Sequence, residues 1–384
     1  MVPFLLGPAP SVEDSALLDT RRAYQRVGDN TGNLAFCYAI NRLLGGNLAS
    51  TPWHTPPAQI DRTGAVGVLT LANQLGPHAD LGFLSKNFSE LKCRLVGIGL
   101  GAQAGNFQQE VNIPEGTLNW VRAIQDHSPN ESPNIAMRGE FSRRALERYG
   151  LAEKTVAIGC PTLFISPEVK LGKKIAERFN GKPLNIAVTA GHQRWAHLAR
   201  LEASLVQLMG ANKGAYICQS PMEMVQLGRG EAKSLTQEQR DLCRNYACPQ
   251  LADEEFTKWS EQYAYSFFSA AAWLEFIRRF DFVIGTRIHG VMLALQAGIP
   301  ALCIAHDSRT KELCETMKVP HVTASEVSGG IRRDDLPRLF QFDPDEFDSN
   351  RARLAGAYYK FLLNNGLASA SYLNTIAGQY SKST

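Results

Sequence analysis

The chain has 384 residues, more than one hydrophobic core ordinarily supports, so two domains are expected. Its 40 Lys and Arg against 37 Asp and Glu leave a net charge of +3, too slight a basic balance to argue for nucleic acid. Hydrophobic residues at 44% and charged residues at 20% fit a soluble globular protein and exclude a fibrous or largely disordered one.

The opening MVPFLLGPAP has no basic segment, and its apolar run is too short for a secretory signal, so a cytoplasmic location is expected. The eight cysteines are scattered, several within apolar runs, and read as reduced thiols. Cys243 and Cys248 lie closest together but lack a second Cys or His pair to complete a tetrahedral zinc site. The apolar stretch from Ile288 to Ala305 contains His, Gln, Gly and Pro, which excludes a membrane span there.

After a first loop, the turn Gly28-Asp29-Asn30-Thr31-Gly32-Asn33 leads into a helix over Gly32 to Leu44, with Leu34, Tyr38, Leu43 and Leu44 on its apolar stripe. Strands are expected at Val66 to Leu71, Leu95 to Ile98, Ile135 to Met137 and Val156 to Ile158, with connections long enough for crossover helices. LVGIGLGAQAG matches neither the dinucleotide fingerprint nor the phosphate loop. It reads either as a loop beside a cleft or as a ligand contact through Gly99 to Gln103. The polar stretch Ser166 to Pro183 is the expected domain junction.

A second βα series follows. Leu184 to Thr189 is its first strand, Leu198 to Met209 a helix and Ala215 to Cys218 the next strand. Gly228 to Pro249 reads as an irregular or helical insertion, and Trp259 to Arg279 as one long helical region. The loop TAGHQRWAH puts His192, Arg194 and His197 at a strand's carboxyl end, where functional loops gather, although an ordinary exposed loop is the alternative. Trp195, Trp259 and Trp273 are assigned to packing rather than to sugar stacking.

The segment FDFVIGTRIHGVMLALQAGIPALCIAH carries the densest information. Phe282, Val283 and Ile284 form a strand covered on both faces, Gly285 turns the chain, and Thr286 is expected to cap a helix that ends at Ala297-Gly298. Pro300 then opens another strand, Ala301 to Ala305. In such a βαβ unit the ligand crevice lies beyond the carboxyl ends of the strands, where a helix N-terminus attracts anions. Arg287 and His289 occupy that first turn. The alternative makes them a solvated cation and a structural imidazole. At the following turn Asp307 and Ser308 read as helix caps, with His306 and Arg309 able to reach the cleft. Beyond His321 the chain is acidic and ends in a helix over Arg351 to Leu363.

Thr286-Arg287-Ile288-His289-Gly290 with Ala297-Gly298-Ile299-Pro300-Ala301 resembles the signature of the polysaccharide pyruvyl transferase family. A second block resembles the family's middle segment through Arg138, Ser142, Leu146, Gly159, Cys160, Pro161 and Thr162. The amino-terminal turn departs from the family's G-N-x-G-D, because Asp29 and Asn30 stand in changed order. The resemblance implies an α/β fold of two Rossmann-like domains facing a cleft, similar to GT-B glycosyltransferases. The expected division is 1–170 as the acceptor-side domain, 180–325 as the donor-binding domain and 326–384 as a helical extension packing back on the first. It further implies phosphoenolpyruvate as donor, with no cofactor, and a sugar or lipid-linked oligosaccharide of a cell-surface polysaccharide as acceptor, with peripheral attachment to the inner membrane face.

Such a reaction needs cations for a phosphate and a carboxylate, and groups to move protons. Arg287 and His289 are the expected catalytic pair. Arg138, Arg194, His192, Asn30, Asn33, His306 and Arg309 are the expected substrate-binding residues, and no metal site is expected. A nucleotide-sugar glycosyltransferase and a noncatalytic glycan-binding member stand as alternatives, because a fold does not fix a donor.

Overall fold

The computed structural model describes residues 2–128, 130–210 and 213–378. Strands β1 (Pro3–Leu6), β2 (Ser50–Thr51), β3 (Val66–Thr70), β4 (Arg94–Leu100), β5 (Ile135–Met137) and β6 (Thr155–Ala157) form one sheet in the order β2-β1-β3-β4-β5-β6. Strands β7 (Ile186–Thr189), β8 (Ala215–Ile217), β9 (Ala264–Tyr265), β10 (Phe282–Gly285), β11 (Ala301–Ala305) and β12 (His321–Thr323) form the other, in the order β12-β11-β10-β7-β8-β9. Every pairing within the two sheets is parallel. The α/β class of two Rossmann-like sheets is therefore the observed one.

The strands form where uninterrupted apolar runs let both faces be covered. All residues of β3, β7, β10 and β11 are buried, as a parallel sheet flanked by helices requires. In each sheet the order reverses once, between β1 and β3 and between β7 and β10. Ligand crevices open beyond the carboxyl ends of strands at such reversals. Four helices begin near those ends: α1 (Asn33–Leu43), α2 (Glu140–Glu147), α3 (Ile288–Gln296) and α4 (Ser308–Met317).

The halves share an apolar seam. Helix α3, which carries Val291 to Leu295 fully buried, packs against α1 and the turn Pro161–Phe164 of the first half. Helix α5 (Pro344–Asn364) and helix α6 (Ser371–Ala377) lie across the first half. Tyr358 donates to the Gly159 carbonyl at 2.9 Å, and Asn365 to that of Pro133 at 2.9 Å.

Three local expectations fail. The opening residues are not a loop: Phe4, Leu5 and Leu6 are fully buried in β1, inside the first sheet, with β2 and β3 on either side. The region from Trp259 to Arg279 is broken, because Ala264–Tyr265 pair with β8 as an edge strand and the Ser269 hydroxyl caps a new helix, Ala270–Ile277. Thr286 does not cap α3. Arg287 occupies the cap position without a side-chain bond, and the Thr286 hydroxyl is buried without a partner. The insertion 228–249 is mostly helical, with Gln237–Ala247 started by a Thr236 and Gln239 capping box.

Candidate functional site

The carboxyl ends of both sheets face one cleft lined by Asn30, Asn33, Ala72, Asn73, Arg138, Gln219, Thr286, Arg287, Ile288, His289, Arg309 and Thr310. Each sheet supplies its reversal point, through Ala72 and Asn73 after β3 and through Thr286 and Arg287 after β10. Three arginines and no carboxylate line it. That composition, at helix N-termini, favours an anion.

Arg138 leaves β5 and lies across the β4 loop, its Nε donating to the Gly99 carbonyl at 2.9 Å. The loop can pass so close because residue 101 is glycine, where a Cβ would sit 2.6 Å from Arg138 Cδ. The terminal nitrogens of Arg138 bond no acceptor among the described residues. Burial lowers its pKa, opposed by nearby Cys160 and Glu312. The glycine-rich LVGIGLGAQAG thus supports an arginine rather than forming a free loop.

Arg287 leaves β10 and donates to the Ser220 carbonyl at 3.1 Å, and its guanidinium lies over the Trp195 ring at 5.0 Å. Its Nε is buried without an acceptor, and the Gln219 Nε2 nearby is likewise unpaired. Unpaired buried donors are costly, and both belong to residues that line the cleft. Burial, reinforced by Arg309, pulls the Arg287 pKa down to about 10. Beneath it Glu202 is fully buried, accepting from the Gly191 amide at 2.9 Å and the Tyr216 hydroxyl at 2.7 Å.

His289 lies in the first turn of α3, with Nε2 3.9 Å from Cys160 Sγ and its ring 5.3 Å from that of Phe36. Burial first, then Arg138 and Arg309, lowers its pKa from 6.5 to about 3, so the imidazole is neutral at ordinary pH. Cys160 also accepts from the Thr162 hydroxyl at 3.2 Å, and burial raises its thiol pKa. Gly290 keeps α3 close to its neighbours, since a Cβ there would meet the Thr189 side chain and lie 2.9 Å from Gln219 Nε2.

Asn30 and Asn33 line the cleft but also hold the 28–33 turn. The Asn30 Oδ1 accepts from Gly32 N at 2.9 Å, and the Asn33 amide donates to the carbonyls of Val27 and Gly28. Arg309 reaches the cleft while paired with Asp307 at 2.8 Å. His306 lies to one side, its ring 4.5 Å from Trp195 and both nitrogens buried without a hydrogen bond. His192, stacked on that same tryptophan with ring centroids 5.2 Å apart, is also outside the lining. Arg194 points away, with 68% of its side chain exposed and Glu223 at 3.7 Å. Asp307 caps α4 as expected, accepting from Thr310 N at 2.8 Å.

Asn73, Gln219 and Thr310 were not expected from the sequence, whereas Trp195 packs against the core as expected and also lies under the Arg287 guanidinium. No group of three or more His, Cys, Asp or Glu suited to a metal occurs among the described residues. All eight cysteines are free and buried.

The sequence profile of the polysaccharide pyruvyl transferase family matches residues 30–308, which include every cleft-lining residue except Arg309 and Thr310. The chain belongs to that family. Membership supports transferase chemistry in polysaccharide biosynthesis, with a sugar as acceptor. No curated protein gives a significant match. Similar solved structures include the S. aureus MnaA-UDP complex, with 9% identity over 94% of this chain and 97% of that one and a TM-score of 0.42. Two others are a Rickettsia bellii UDP-N-acetylglucosamine 2-epimerase and Anabaena HepE in complex with UDP. The epimerase has 12% identity, coverage of 98% and 97%, and a TM-score of 0.43. HepE has 12% identity, coverage of 100% and 99%, and a TM-score of 0.42. Within this pyruvyl transferase family member, no described helix is long and apolar enough to cross a membrane.

Proposed function

We propose that the protein transfers the enolpyruvyl group of phosphoenolpyruvate to two hydroxyls of one sugar, forming a pyruvate ketal and releasing phosphate. The observation that carries this reading is the cleft's three arginines without a carboxylate, beside the unpaired donors Arg287 Nε and Gln219 Nε2. Phosphoenolpyruvate brings two anionic groups. Arg138 and Arg287, one from each sheet, clamp the phosphate and the carboxylate, and Arg309 adds to the field.

Neutral His289 is the base. With its proton on Nε2 facing Cys160, Nδ1 presents a lone pair that takes a proton from the attacking hydroxyl. The first sugar oxygen bonds to C2 of the donor as a proton is added at C3. The second oxygen replaces phosphate at C2. Of the two hydroxyl protons lost, one is balanced by the methyl group and the other by the released phosphate. Peripheral membrane attachment follows where the acceptor is lipid-linked.

Incubation with phosphoenolpyruvate and a panel of sugars, with phosphate release and product mass as readouts, tests the reading. Phosphate release coupled to a mass gain of pyruvate minus water is expected, falling at least about 100-fold in Arg287→Ala. Turnover of a nucleotide sugar without use of phosphoenolpyruvate would replace this reading with that of a glycosyltransferase.

A further inference from the structure

A second depression, of about 450 Å³, lies next to the cleft. Its walls are Pro77 and His78 after β3 and the run Gln103 to Gly105 and Gln109 to Asn112 after β4, with Asp307 contributed by the other half. Contacts between the two walls join it to the cleft. Asn73, a cleft residue, donates to Oε1 of Gln103 at 2.5 Å, and Asp307 pairs with the cleft's Arg309 at 2.8 Å.

The chemistry of the two spaces differs. The groove has no arginine or lysine, and both its carboxylates are engaged: Glu110 with Arg148 at 3.0 Å, Asp307 with Arg309 and the Thr310 amide. What remains, beside His78 whose Nε2 bonds the Asn73 carbonyl at 2.7 Å, is the hydrogen-bonding capacity of side-chain amides. The Nε2 groups of Gln103 and Gln109 and the whole Asn112 amide have no partner among the described residues. Pro77 and Val111 add apolar wall. Amides that donate and accept beside apolar surface match the hydroxyls and C–H faces of a sugar ring. The volume falls within the roughly 300–1,000 Å³ usual for small-ligand sites.

We propose that this groove is the acceptor subsite and takes a neutral saccharide. Its hydroxyls bond Gln103, Gln109 and Asn112, and its reacting end passes Asn73 into the arginine cleft. The assignment rests on the cleft being the donor site, but saccharide binding in the groove is measurable without donor.

Saturation-transfer NMR with the methyl glycosides of glucose, galactose, mannose and N-acetylglucosamine, on wild type, Gln103→Ala and Asn112→Trp, tests it. Asn112 is exposed, so a tryptophan there fills the groove without entering the core. At least one glycoside should show transfer, reduced about fivefold or more in both variants, the scale of one lost net hydrogen bond. The phosphoenolpyruvate-induced thermal shift should be unchanged in Asn112→Trp, which leaves the Asn73–Gln103 bond in place. Absence of transfer from all four glycosides, or transfer undiminished in both variants, overturns the groove assignment. Absence of a phosphoenolpyruvate shift in wild type, with glycoside transfer present and groove-dependent, overturns the donor reading instead and leaves the groove as a saccharide site.

Discussion

Burial beside two arginines does more to His289 than its residue type alone conveys. Its pKa near 3 keeps it unprotonated throughout the neutral range, so no inflection from this group should appear in kcat/KM between about pH 5 and 8. His289→Ala should lower kcat by about 10²–10⁴-fold, read from phosphate release. His306 and His192 are also held neutral, with pKa values near 4 caused first by burial. Unfolding lets all three take up protons near pH 6.5, so their stability contribution is complete above that pH and is lost as pH falls toward 4 and then 3. The urea midpoint should therefore drop on acidification through this window, and less steeply in His306→Phe. Arg287 and His289 were legible because a cation and an imidazole follow a buried strand. Asn73 and Gln219 were not, since a neutral amide becomes conspicuous only when distant strand ends converge.

Helix α2 shows how elements from the two halves lock together. The Glu312 carboxylate on α4 accepts from the Ser142 amide at 2.8 Å and its hydroxyl at 2.5 Å, and Ser142 Oγ in turn accepts from Ala102 N at 2.8 Å. The acid is thereby placed at the amino end of α2, where helix charge favours it, while burial raises its pKa. Glu312→Ala should cost about 2–3 kcal/mol in urea unfolding, because it leaves buried donors unpaired. Ser142 and Glu312 stood 170 residues apart, so no local pattern announced their bond. Strands β3, β4, β7, β10 and β11 were readable as apolar runs bounded by turn residues. Strand β1 was not, because its four residues resemble an ordinary amino-terminal arm, and β9 was hidden by helical sequence on both sides.

At the scale of the whole molecule, the last helices tie the ends of the chain to the first half. Arg351, fully buried on α5, gives its donors to the carbonyls of Leu163 at 2.9 Å, Glu168 at 2.5 Å and Ser166 at 2.5 Å. Arg351→Met should lower stability by at least about 3 kcal/mol, measured by urea unfolding, since three carbonyls lose a charged donor together. The same strap holds Gly159 through Tyr358, and so fixes Cys160 beside His289. Two parallel sheets and a ligand crevice were legible from alternating strands and helices. The amide-lined groove was not, because its walls are loops whose shape depends on how the halves meet.

Everything proposed for the arginine cleft depends on its binding phosphoenolpyruvate. Calorimetric titration of phosphoenolpyruvate and of UDP into wild type and Arg287→Ala tests it most directly. Phosphoenolpyruvate should bind wild type and lose about 10–100-fold in affinity in the variant, the range of a lost charged hydrogen bond, with UDP leaving that binding unaffected. Binding of UDP with none of phosphoenolpyruvate would overturn the donor assignment.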